Sequence, residues 1–182
     1  MSHIIGLIGG IASGKTAVAD YLLREKGASY YRFSDVLRDV LKRLHKPETR
    51  ENLQELGLSL RKAYGDGLLA QVLKEDVLAD GADIIVVDGI RYQDEFEMVK
   101  GLGGRIVYVC APQKVRYGRA TSRGTRGEAK ISFEEFRKSE ERETERMIES
   151  LGKMADVVLE NTGTLSELKA KIEESLFSGP SM

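Results

Sequence analysis

The chain has 182 residues, with 28 Lys and Arg against 29 Asp and Glu, a net charge of −1, 41% apolar residues and 31% charged ones. That length suits one domain, 1–182, and the apolar share is too high for a disordered chain. The balanced charge argues against a protein that wraps nucleic acid by bulk attraction, and nowhere do about 18 apolar residues run together as a membrane span requires.

His3 to Ile8 is short and β-branched, and it runs through a glycine cluster into Thr16 to Leu23. There Ala17, Val18, Tyr21 and Leu22 share a helical face, so the opening is strand, loop, helix. Ser29 to Phe33 reads as a second strand, with Ser34 or Asp35 capping a helix that carries Val36, Leu37, Val40, Leu41 and Leu44 and ends at Pro47. Leu53, Leu56, Leu60 and Tyr64 mark an amphipathic helix from Thr49 to Tyr64, and another runs from Leu68 to Leu78, where Gly81 offers a left-handed end. Ile84 to Val87 is a continuous apolar run, the pattern of a strand covered on both faces. A helix from about Tyr92 to Lys100 and a strand from Ile106 to Cys110 follow, and Pro112 opens the next helix. Ser132 with Glu135, and Thr164 with Glu167, have capping-box spacing and start helices at about 133 and 165; Asp156 to Glu160 between them reads as the last strand.

Strands that alternate with helices imply parallel pairing through crossovers, hence an α/β three-layer sandwich of about five parallel strands with helices on both faces. Two connections are longer than a crossover needs, about 34–80 and about 114–146, and substrate-specific machinery belongs there. The single Cys110 and the distant His3 and His45 offer no internal disulfide and no zinc cluster, and Cys110 suits a small core residue better than a nucleophile. No basic stretch followed by an apolar run opens the chain, so the expected compartment is the cytoplasm, with neither nucleic acid nor membrane as partner.

Gly9 to Thr16, Gly-Gly-Ile-Ala-Ser-Gly-Lys-Thr, fits G-x-x-x-x-G-K-S/T between a strand and a helix, the context that this motif needs. In it the backbone N–H groups of Gly10, Ile11, Ala12, Ser13 and Gly14 can turn inward on a polyphosphate, with the positive end of the helix behind them. Lys15 would reach the β- and γ-phosphates of ATP, and Thr16 would offer its hydroxyl to Mg²⁺. Asp88, at the end of a buried strand, suits the second half of that metal site; its plainer role is a strand-end aspartate.

On these residues the chain resembles the P-loop small-molecule kinases. Gly6 to Thr16 and Ala155 to Thr164 are similar to dephospho-CoA kinases. Phe33-Ser34-Asp35-Val36-Leu37-Arg38 resembles the acceptor-binding helix start of adenylate kinases, and Asp88-Gly89-Ile90-Arg91 resembles their D-G-x-P-R segment without its proline. The middle also resembles deoxynucleoside monophosphate kinases and a related group of archaeal kinase-like proteins. The resemblance implies that 34–80 binds the acceptor, with Ser34 and Asp35 beside it, Arg38 on its phosphate, and Arg91 bridging it to the transferred group. It implies a lid at about 114–146, where Arg119-x-x-x-Arg123 is similar to the start of the adenylate kinase lid, and it places Arg119 and Asn161 by the nucleotide. By residue type alone, the favoured reading of Arg38 is a solvated helix arginine. The plainer alternative for the basic stretch Lys114 to Lys130 is a solvated face paired with Glu140, Glu141, Glu143 and Glu145, and Arg137, Arg142 and Arg146 are alternative lid arginines.

The expected activity is ATP- and Mg²⁺-dependent phosphoryl transfer to a small nucleotide-like acceptor, first a nucleoside or deoxynucleoside monophosphate. Dephospho-CoA is the alternative; its hydroxyl would benefit from a general base at Asp35. A regulatory NTPase switch is the alternative of another class, although the chain has no N-K-x-D guanine-reading segment. Tyr64 or Tyr92 could clamp an acceptor base.

Overall fold

Period-two alternation along the strands decides which layer of helices each side chain meets. The computed structural model describes residues 2–123, 131–140 and 143–178. In chain order its elements are β1 (His3–Ile8), α1 (Lys15–Lys26), β2 (Ser29–Arg32), α2 (Phe33–Arg43), α3 (Arg50–Tyr64), α4 (Leu68–Ala79), β3 (Ile84–Asp88), α5 (Gln93–Gly101), β4 (Arg105–Cys110), α6 (Gln113–Arg123), α7 (Phe133–Glu140), α8 (Glu143–Gly152), β5 (Val157–Glu160) and α9 (Leu165–Leu176). The strands form one sheet, β2-β3-β1-β4-β5, in which every neighbouring pair is parallel.

Ile5 and Leu7 of β1, Val86 of β3, and Val107 and Val109 of β4 face α1 and α9, where Val18, Leu22, Leu168 and Ile172 complete one apolar layer. The alternate residues Ile8, Ile85, Val87 and Ile106 face α2, α4, α5 and α8, through Leu37, Leu73, Val99 and Leu151 among others. A three-layer α/β sandwich results, as the alternation of elements implies. Helix α3 lies outside the second layer and lends Leu53, Leu56 and Leu60 to its rim. Gly6 in β1 is a close-approach position: a Cβ there would stand 2.7 Å from Ile90 Cδ1 and 2.8 Å from Ile106 Cδ1. Among the described residues, no helix is long and apolar enough to cross a membrane.

Five local expectations are corrected. Strand β2 ends at Arg32 instead of Phe33, because Arg32 already pairs with Asp88, the last residue of β3, and no strand continues beyond it. Phe33 therefore starts α2 and turns into the core at 5% exposure. Extended Arg32, with no side-chain cap, occupies the N-cap position expected for Ser34 or Asp35, and Asp35 sits in the first turn, where a carboxylate suits the helix dipole. Helix α2 closes before Pro47: His45 is left-handed at φ 54° and donates to Lys42 O, while Lys46 N donates to Leu41 O, a Schellman turn. Helix α4 ends on extended Asp80 and not on a left-handed Gly81, because Asp80 Oδ1 accepts from Ala82 N at 2.7 Å and makes the turn itself. The segment after 133 holds two helices, α7 and α8, instead of one.

Candidate functional site

Strand register brings the ends that matter to one edge of the sheet. Leu7 pairs with Asp88 and Asp88 with Arg32, so the turn after β1, the end of β3 and the start of α2 stand side by side. On the other flank Cys110 pairs with Glu160, and Asn161 N donates back to Cys110 O at 2.8 Å. This carboxyl edge, where the connections leaving the neighbouring strands β1 and β3 pass to opposite faces of the sheet, to α1 and to α5, is where open parallel sheets bind ligands.

The loop from Gly9 to Gly14 has the tight, partly left-handed backbone that its glycines permit. Ala12 lies at φ 57° and Gly14 at φ 111°. A non-glycine residue in the left-handed region stores strain, a feature concentrated at binding sites. At Gly9 a Cβ would run into Val109 O and stand 2.6 Å from Ser13 Oγ, and at Gly14 it would collide with the Asn161 amide. Lys15 Nζ donates to the carbonyls of Gly9 and, at 3.3 Å, of Gly10, which folds its charge back over the loop; Thr16 is exposed on the first turn of α1.

Asn161, 7% exposed, holds this loop from behind: its Nδ2 donates to Ser13 O at 2.9 Å and its Oδ1 accepts from Arg119 Nη2 at 3.4 Å. Arg116, one turn earlier on α6, donates from Nη1 to Ile11 O at 3.3 Å and pairs with Glu140 of α7, which also accepts from Gln113 Nε2 at 2.7 Å. The same Nη1 would lie 3.0 Å from a Cβ at Gly10. The start of the expected lid thus touches the phosphate loop, and part of the pairing with the acidic run is present as well.

Asp88, 8% exposed, accepts from the Tyr30 hydroxyl through Oδ2 at 2.7 Å. Burial, with the adjacent Asp88 charge and hydrogen bond, raises the pKa of that phenol, so it remains a donor. Asp88 Oδ1, Ser13 Oγ and Arg119 Nη1 are buried and have no hydrogen-bond partner among the described residues. Buried polar atoms without partners are uncommon, and these three belong to the loop, the neighbouring strand end and the helix over them. The set suits a polyphosphate with Mg²⁺, a cation held by one or two carboxylates plus phosphate oxygens. Among the described residues no three His, Cys, Asp or Glu side chains converge into an all-protein metal cage.

At the head of α2, Asp35 lies between two arginines. Arg32 reaches it at 2.8 and 3.0 Å, and Arg38 donates from Nη1 to Asp35 Oδ1 at 3.0 Å and to Ser34 Oγ at 2.8 Å. Arg38 Nε is 3.3 Å from Glu48. The hydrogen bond to Asp35 raises the pKa of Arg32, which keeps that charge fixed beside the site. Arg91 follows Gly89, whose φ of 84° makes the turn out of β3, and buried Ile90.

Tyr64, at the end of α3, is 72% exposed, whereas the Tyr92 ring lies 3.9 Å from the guanidinium carbon of Arg61. Arg137 is exposed and pairs with Glu134 at 2.8 Å. Arg142 and 124–130 fall outside the described residues, as do the side chains of Arg123 and Arg146. Sequence reasoning missed Tyr30, Arg32 and the buried Arg61–Glu95 pair. Arg32 could have been found from its three-residue spacing to Asp35; the other two depend on pairing across elements.

The AAA domain family matches residues 5–148. A UPF0200 protein of Sulfurisphaera tokodaii is 34% identical over 174 residues, 95% of each chain, and one of Saccharolobus solfataricus is 34% identical over 94% of this chain and 90% of its own. Among solved structures, TT1252 from Thermus thermophilus superposes with a TM-score of 0.60 at 25% identity, covering 98% of this chain and 99% of that one. Shikimate kinase from Acinetobacter baumannii, solved with shikimate, superposes with a TM-score of 0.61 at 16% identity over 98% and 94%. With its strand order, its glycine-rich loop and these relatives, the chain belongs to the AAA domain family and to the UPF0200 proteins, and it has the fold of the P-loop small-molecule kinases.

Proposed function

We propose that the protein is an ATP- and Mg²⁺-dependent phosphotransferase whose acceptor is a nucleoside or deoxynucleoside monophosphate. The observation that carries this reading is the alignment, on one sheet edge, of a phosphate loop with a second anion-binding group, Arg32 and Arg38 around Asp35. Two phosphate-binding groups side by side are what transfer between two phosphorylated molecules requires. The loop of Gly10, Ile11, Ala12, Ser13 and Gly14 with Lys15 binds the triphosphate, and Thr16 and Asp88 hold its metal. ATP·Mg²⁺ supplies the phosphoryl group and neutralises charge on the β- and γ-oxygens.

Arg38 and Arg91 grip the acceptor's phosphate; planar guanidinium groups match phosphate oxygens bidentately and stay charged. Ser34 and Asp35 keep Arg38 in its rotamer. Both Asp35 oxygens already accept from arginines, which favours an orienting role over proton abstraction and hence a phosphate oxygen, largely anionic at neutral pH, over a hydroxyl as the nucleophile. Helices α2 to α4, within about 34–80, form the acceptor side. The 114–146 segment acts as the lid, with Arg119 and Arg123 closing on the nucleotide and excluding water, the competing acceptor. Asn161 supports the loop and orients Arg119. A small-molecule acceptor agrees with the shikimate kinase neighbour, solved with shikimate.

Incubation with ATP·Mg²⁺ and each ribo- and deoxynucleoside monophosphate in turn, with dephospho-CoA alongside, tests this reading. ADP release that depends on a monophosphate supports it. Release that depends only on dephospho-CoA transfers the reading to a hydroxyl acceptor, and acceptor-independent release favours the NTPase switch.

A further inference from the structure

A buried ion pair joins α3 to the segment that carries Arg91, and phosphoryl transfer makes no direct use of it. Arg61 of α3 and Glu95 of α5 are 8% and 2% exposed, and Arg61 Nη2 donates to Glu95 Oε1 at 2.9 Å. Arg61 Nη1 donates to the Asp66 carbonyl and lies 3.3 Å from Asp94 Oδ2, and the guanidinium stacks over Tyr92. The other oxygen, Glu95 Oε2, accepts from Arg91 N at 2.8 Å and from Tyr92 N at 3.3 Å. One carboxylate thus caps α5, holds the backbone of Arg91 and anchors a side chain 34 residues upstream.

Stability alone gives little reason for such a pair. Removing two charges from water offsets most of what their attraction returns, and apolar residues of similar volume often serve as well or better. Orientation is what the pair adds. Between the left-handed Gly89 and α5 the chain belongs to no strand or helix, and Glu95 supplies the acceptor for two successive N–H groups there.

We infer that Arg61 and Glu95 are a positioning pair: they fix the backbone of Arg91 relative to α3, so that the acceptor's phosphate meets an oriented guanidinium. The inference rests on the phosphotransfer reading and deepens it, since Arg91 acts there on the acceptor.

The test uses the Arg61→Met/Glu95→Leu double variant, which removes both charges at nearly constant volume, where Arg61→Met alone would strand the Glu95 charge in the core and Glu95→Leu alone would leave Arg61 with Asp94 as its carboxylate partner. Hydrogen exchange at the Arg91 and Tyr92 amides is measured beside kinetics with the nucleoside monophosphates as probes. The expected result is exchange at least about tenfold faster at both amides and an acceptor kcat/KM lower by about tenfold to a hundredfold, the scale of a misplaced binding group. Placed in an Arg91→Ala background, the same double change should lower kcat/KM no further, because the pair acts through Arg91. Arg61→Met/Glu95→Gln, which restores an acceptor for the two amides, should slow their exchange again, and it serves as the measurable variant if the leucine form does not fold. Unchanged exchange in the double variant, or an equal loss of kcat/KM with and without Arg91, overturns the inference. If the parent transfers phosphoryl to no monophosphate, the phosphotransfer reading fails by itself, and exchange still decides whether the pair holds this segment.

Discussion

Asn161 packs so closely on Gly14 that a Cβ at Gly14 would collide with its amide, and that same amide donates to Ser13 O at 2.9 Å. The residue after the last strand therefore braces the phosphate loop at the other end of the chain. Replacing Asn161 by Ala leaves a buried carbonyl without its donor, a loss of about 1–3 kcal/mol. Denaturant unfolding should show it, and affinity for a fluorescent ATP analogue should fall about tenfold, the size of one such contact. Parent-like binding would reduce Asn161 to a packing residue.

Tyr30 holds one oxygen of Asp88 and leaves the other buried without a partner among the described residues. The Tyr30→Phe protein should lose about 1–3 kcal/mol, the cost of leaving a buried acceptor unsatisfied. In an Asp88→Ala background the same change should cost much less, since the shared bond has already gone. Equal costs in the two backgrounds would mean that the phenol acts elsewhere.

Asp35 distinguishes the two acceptor chemistries. With both oxygens engaged by Arg32 and Arg38, an Asp35→Asn variant should raise the acceptor KM about tenfold and change kcat by less than about threefold, the signature of lost positioning. A fall in kcat of about a hundredfold would instead identify a general base and a hydroxyl acceptor.

Glu95 gives stability a pH dependence of known sign. Burial pushes its pKa up to about 7, from 4.5, against the opposing backbone hydrogen bond from Arg91 and the Arg61 charge. A raised carboxyl binds its proton more tightly in the folded chain, so its contribution is fully present below about pH 4.5 and is lost as pH rises through about 7. Chemical unfolding from pH 4.5 to 7.5 should show a slope that Glu95→Gln flattens. An identical slope in the variant would remove Glu95 as its source.

Signals confined to a few residues were legible in the sequence. The loop glycines, the capping spacings Ser132 to Glu135 and Thr164 to Glu167, and the apolar run of β3 each impose their structure locally, and the structure has all of them. The alternation of strands with helices implied parallel pairing, because strands joined by helical crossovers run the same way, but it left the strand order open. The start of α2 was misplaced because Phe33 suits a strand as well as a buried first helical turn, and only the length of β3 decides between them. Tyr30 and Asp88 are 58 residues apart and Arg61 and Glu95 are 34 apart, so their pairing exists only once β2 lies on β3 and α3 on α5. Nothing in the residue types themselves signalled that these side chains would meet.

The most direct test of phosphoryl transfer follows the γ-phosphorus itself. With γ-labelled ATP, Mg²⁺ and the nucleoside monophosphates, the label should appear on the acceptor as a diphosphate, and Lys15→Ala should abolish its transfer. Label that appears only as inorganic phosphate, at a rate no acceptor changes, would contradict the account.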